Sequence, residues 1–112
     1  MLVLLFSTGW AVWLVLREPA LGAEVARLAR PGDVRMLSSQ TCIYCDSARH
    51  WLTTHQVAFD ECMIETDAAC AAQFNALRAP GTPVMLVRGR PQVGFSPQRL
   101  REALAEAGAP GG

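Results

Sequence analysis

A chain of 112 residues and 12.1 kDa, 51% apolar, has room for one small domain and enough apolar content to exclude wholesale disorder. Its arginines balance its ten Asp and Glu residues for a net charge of +0 and there is no lysine. That balance argues against a nucleic-acid module, and the missing lysine excludes Schiff-base and P-loop lysine chemistry. Four cysteines are more than average but too few for a disulfide-dense mini-protein.

Residues Leu2 to Leu16 form an apolar run broken only by Ser7, Thr8 and Gly9. As a helix it spans about 22 Å, short of a hydrocarbon core of about 30 Å. Residues 1–17 therefore read as a signal peptide or as a membrane anchor with Trp10 and Trp13 at the interface, with a buried core helix as a third reading. The cations Arg17, Arg27, Arg30 and Arg35 follow the run and none precedes it. By the positive-inside rule that would leave the rest of the chain in the cytoplasm, and a signal peptide should carry a basic start. Export to the periplasmic side, or attachment to a membrane, is the reading we favour over a cytoplasmic location.

Residues 18–32 read as a connecting helix and linker outside the main core, with Leu21, Val25, Leu28 and Ala29 at helical spacing and Pro31-Gly32 as the stop. Residues 33–108 then alternate. Val34 to Leu37 predicts a strand. Cys45, Ala48 and Leu52 predict a helix from about Cys42 to His55. Val57 to Ile64 predicts a second strand, and Ala71, Phe74 and Leu77 a helix over Asp67 to Arg78 that Ala79-Pro80-Gly81 closes. Pro83 to Val87 is a strand, Arg88 to Pro91 a turn, and Gln92 to Phe95 another strand. Ser96 caps a last helix through Ala107, with Pro97 at its first position; Gly108 ends it and residues 109–112 are a frayed tail. The order is β-α-β-α-β-β-α, an α/β fold.

Cys42-Ile43-Tyr44-Cys45 falls between a strand and a helix. Two thiols three apart at a helix start can close a disulfide within the first turn. The leading sulfur sits where free backbone N–H groups and the helix dipole favour a thiolate. Cys42 is thus the candidate nucleophile and Cys45 the protected resolving thiol that thiol–disulfide exchange needs. A zinc half-site is the competing reading, but it needs a second ligand pair, and His50 and His55 sit five apart on the same helix.

The stretch Val34 to Leu104 resembles the glutaredoxin family within the thioredoxin fold. The marks are strand-then-CIYC-then-helix, the segment Gly81-Thr82-Pro83-Val84 and the later Val93-Gly94-Phe95-Ser96-Pro97. The resemblance implies a mixed four-stranded sheet with flanking helices, preceded here by an N-terminal apolar helix. It also implies a redox-active disulfide of the kind used in electron transport and cell redox homeostasis. It makes Tyr44 the motif tyrosine, Pro83 the cis proline, and Thr82 the residue whose backbone meets an extended substrate. Gly94 and Phe95 match the pair that lines the substrate groove in glutaredoxin-like donors of ribonucleotide reductase. Three positions depart from the pattern. Ser39 stands where the family often has lysine, Val93-Gly94 where it has paired glycines, and Ile43 where it has proline. The first two changes remove groups that hold the carboxylates of glutathione. The partner expected is therefore a disulfide-bearing protein or small thiol, with glutathione a questionable co-substrate. No cofactor, metal or nucleic acid is expected.

Cys62 and Cys70, eight apart across a strand-to-helix turn, leave three readings open: a structural disulfide, two unrelated buried thiols, or a second redox relay. A disulfide there would favour an exported location. Trp51, Met36, Met63 and Met85 read as packing. His50 and His55 read as surface residues, Asp60, Glu61, Glu65 and Asp67 as a solvated acidic patch, and Asp46 as a first-turn helix acid able to tune Cys45. Two other function classes compete with an oxidoreductase: a non-catalytic adaptor that uses the same groove, and a zinc-binding module.

Overall fold

The computed structural model describes residues 19–106. The apolar run 2–16, the expected helix end at Ala107 and Gly108 and the tail 109–112 lie outside the described residues. Among those described, no helix is long and apolar enough to cross a membrane.

After a helix over residues 19–28 (α1) come β1 (Val34–Ser38), α2 (Ile43–Thr54), β2 (Asp60–Met63), α3 (Ala68–Leu77), β3 (Val84–Val87), β4 (Arg90–Val93) and α4 (Pro97–Ala105). The sheet order is β2-β1-β3-β4. β1 pairs in parallel with β2 and antiparallel with β3, and β4 returns antiparallel along β3. The mixed four-stranded sheet with flanking helices is therefore as expected.

Side chains alternate across the sheet and so feed two cores. Val34, Met36, Met85 and Val87 point into one, where Ala48 and Leu52 of α2, Leu100 and Leu104 of α4, and Val25 of α1 meet them. Leu37, Val84 and Leu86 point into the other, beneath Cys70 and Phe74 of α3. All four residues of β3 are buried, as a strand covered on both faces requires.

The structure corrects four expectations. Residues 18–32 are not a linker outside the core: Val25 is fully buried, Ala29 nearly so, and Leu21, Ala26 and Leu28 pack against the same cluster. The second strand is shorter than Val57 to Ile64, because Val57 instead closes α2. Its N–H donates to Leu52 O (2.9 Å) while Gln56, at φ 58°, donates to Thr53 O (3.1 Å), a Schellman ending. The turn after β3 is Arg88-Gly89 alone, with φ of 51° and 85°, so Arg90 and Pro91 belong to β4. Two consecutive positive φ values make the tight hairpin whose twist matches the strands. Pro91 is tolerated because β4 is an edge strand. Finally, Met63 is only half-buried, whereas Met36 and Met85 are core.

Candidate active site

β1 delivers the chain through the loop 39–41 to Cys42, the N-cap of α2. Cys42 has extended backbone (φ −102°, ψ 107°), and its Sγ accepts the Cys45 N–H at 3.0 Å. Cys42 and Cys45 are disulfide-bonded, with Cα atoms 5.2 Å apart. Cys42 is half-buried and Cys45 fully buried, the asymmetry expected of an attacking and a resolving sulfur.

Opposite them the Thr82-Pro83 peptide is cis. Cys42 Sγ lies 3.4 Å from Thr82 O, so in the thiol form it can donate to that carbonyl. Pro83 O in turn accepts the Gly94 N–H at 2.8 Å. Gly94, at φ 79°, makes that crossing possible where most side chains would strain the backbone.

Tyr44, Thr82, Pro83, Gly94 and Phe95 all line one groove of about 690 Å³ beside the disulfide. Its other walls are Ser47, Ala48 and Trp51 from α2, Pro80 and Gly81, and Val93 and Pro97. None of these residues carries a charge. Ile43 and Tyr44 project from the start of α2, 70% and 71% exposed.

Trp51 is therefore both packing and groove wall. Its ring meets Phe95 at 5.7 Å and His55 at 4.5 Å between centroids. His55 is not a surface residue. It is half-buried against α1, where a Cβ on Gly22 would overlap its ring. His50 is exposed as expected.

The acidic residues of the second strand do more than face water. Glu61 binds Arg49 of α2 through two hydrogen bonds (2.6 and 2.8 Å) and accepts from the buried Ser38 hydroxyl at 2.7 Å. The Arg49 guanidinium, aided by Ser38, holds the Glu61 carboxyl below the usual carboxylate range, and Glu61 and Asp46 together raise the pKa of Arg49. Asp46 is thus turned toward Arg49 (2.8 Å). Glu65 accepts from Ser39 Oγ and from the Gln40 N–H. Asp67 caps α3, accepting the Cys70 N–H at 3.1 Å. The Glu61 and Glu65 contacts escaped the sequence reading because they join residues 12 to 26 positions apart.

Cys62 and Cys70 are disulfide-bonded, with Cα atoms 6.1 Å apart. Of the three readings of this pair, two unrelated thiols is thereby corrected. The strand end and the first turn of α3 bring the sulfurs together in the second core. Among the described residues no group of three or more His, Cys, Asp or Glu side chains is arranged to hold a metal ion.

The family model described as Glutaredoxin matches residues 34–91. Among solved structures, the crystal structure of a mutant of the thioredoxin-like protein BC3987 is similar, at TM-score 0.59 and 21% identity over 66% of this chain and 96% of that one. At that identity the likeness speaks to the fold. No curated protein sequence matches.

Proposed function

The chain belongs to the glutaredoxin family, and from that premise we propose that it is a thiol–disulfide oxidoreductase in which Cys42 attacks and Cys45 resolves. One observation carries the reading: the sulfur of Cys42 itself caps α2, taking the Cys45 N–H, at the edge of an uncharged groove. A helix N-cap is where a thiolate gains most from free N–H groups and the dipole, so Cys42 is the thiol expected to ionise at neutral pH.

In the reductive direction the Cys42 thiolate attacks one sulfur of the substrate disulfide. The substrate S–S bond breaks, the Cys42–substrate bond forms, and the departing thiolate takes a proton from water. Cys45 then loses its proton and attacks the Cys42 sulfur. This releases the second substrate thiolate and restores the Cys42–Cys45 bond. One disulfide is reduced and one formed, and an external dithiol or two monothiols reset the pair.

Tyr44, Thr82, Pro83, Gly94 and Phe95 are the residues we assign to substrate binding. The uncharged lining supports a protein disulfide over glutathione, whose carboxylates find no cation among the groove residues. The Cys62–Cys70 bond supports an exported location, since reducing compartments keep such bonds open. Sequencing the mature N-terminus tests that placement.

The test of function is a Cys45→Ser variant offered a protein disulfide. It should accumulate a covalent mixed disulfide through Cys42, visible on a non-reducing gel and mapped by peptide mass spectrometry. Unaltered protein that reduces neither insulin nor a mixed disulfide would refute the proposal.

A further inference from the structure

Glu65 has no part in the disulfide pair or the groove, yet it grips the segment that carries Cys42. Its carboxylate accepts from the Ser39 hydroxyl and, at 3.1 Å, from the Gln40 N–H. Ser39 O accepts the Cys42 N–H (3.3 Å), and Ser39 Oγ accepts the Thr41 N–H (3.4 Å). One carboxylate thereby holds two consecutive residues of the loop whose far end is the N-cap sulfur.

The turn bearing Glu65 is itself fixed. Ile64 N–H donates to Ser38 O (2.9 Å), and the N–H groups of Thr66 and Asp67 donate to Met63 O (3.3 and 3.0 Å). Cys62–Cys70 closes over this turn, and Asp67 caps the helix that holds Cys70. An exposed hydrogen bond between two mobile groups contributes little, because ordering both ends costs what the bond gains. Here one end is ordered beforehand by a covalent clasp. Ser39, then Gln40, hold the Glu65 carboxyl below the usual range, so it stays an anion and a strong acceptor at neutral pH.

We propose that Glu65 is a positioning residue for Cys42, and that the Cys62–Cys70 disulfide is the anchor that keeps it in place. The inference rests on the reading of Cys42 as the reactive thiol. It gives the second disulfide a purpose in the chemistry without a redox step of its own.

The test uses the full chain with E65A, E65Q and the C62S/C70S pair. Two readouts need no turnover: the rate of Cys42 alkylation by iodoacetamide, and the thiol-to-disulfide buffer ratio at which Cys42–Cys45 is half reduced, read by peptide mass spectrometry. E65A should slow alkylation by about threefold or more and move the buffer ratio by a similar factor, since loosening a positioned group by even an ångström is costly. E65Q keeps one of the two oxygen acceptors and should fall between E65A and the unaltered chain. C62S/C70S should shift both readouts in the same direction by less, and E65A should add little on that background, the sign of a shared route. An E65A variant that matches the unaltered protein or alkylates faster, or E65Q falling as far as E65A, would overturn the proposal. Insulin reduction, measured in parallel, judges the oxidoreductase reading separately. If no variant reduces insulin but E65A still slows alkylation, that reading fails and the grip stands.

Discussion

The protein holds two disulfides at the starts of two helices, and their surroundings differ in one decisive respect. At α2 the N-cap is a cysteine, so the free N–H of the first turn points at Cys42 sulfur. At α3 the N-cap is Asp67, whose carboxylate takes the N–H of Cys70. A helix start that stabilises sulfur as an anion is therefore available to the first pair, while at the second an aspartate already occupies it. The first pair borders a groove, and the second is tucked into the core under α3. The same covalent bond is placed to be exchanged in one setting and kept in the other.

The sharpest way to break this contrast is to abolish each disulfide in turn. Cys42→Ser should lower insulin reduction by at least about a thousandfold, because the nucleophile has no substitute. C62S/C70S should leave reduction within about tenfold of the unaltered chain. Equal losses at the two sites would erase the distinction.

Stability should sort the pairs in the opposite sense. Losing Cys62–Cys70 should cost about 2–3 kcal/mol in the chain-entropy picture of a short loop, measured by urea unfolding. Asp67→Ala should cost about 1 kcal/mol, as loss of an N-cap does. An unfolding midpoint unmoved by Asp67→Ala would mean that the aspartate does not hold the start of α3.

The smallest effect concerns pH and the residue that lies between the two sites. Glu61 precedes Cys62 and pairs with Arg49 of α2. Its folded pKa is depressed, chiefly by Arg49. The unfolded chain therefore binds its proton first on acidification. The stability that Glu61 lends is present above the ordinary glutamate pKa and is lost as pH falls through the lower folded value. Glu61→Gln should flatten the fall in unfolding free energy below about pH 5. An acid limb identical to that of the unaltered chain would show the ion pair to be inert.

The Cys42–Cys45 pair was legible in the sequence because its logic is local. Three positions separate the two cysteines, and Ala48 and Leu52 continue the same helical face. Turn chemistry was less legible. Arg88 adopts a positive φ that its side chain does not advertise, so the hairpin is two residues long where Gly89 and Pro91 suggested four. What stayed hidden was long-range. Nothing in Ser39 points to Glu65, and nothing in Glu61 points to Arg49, until the sheet sets β2 beside β1. The burial of α1 was missed for the same reason. Its spacing reveals an apolar face but not the Leu52 and Leu104 waiting for it.

The placement of α1 also bears on where this chain can be trimmed. A fragment trimmed to the stretch the family shares would discard Val25 and Ala29 at one end and Leu100 and Leu104 at the other, all of them interior. It would also strip the backing from His55, which leans on the tryptophan of the groove wall. Anyone seeking a minimal domain should keep α1 and α4, because the ends of the matched stretch cut through the middle of the packed interior.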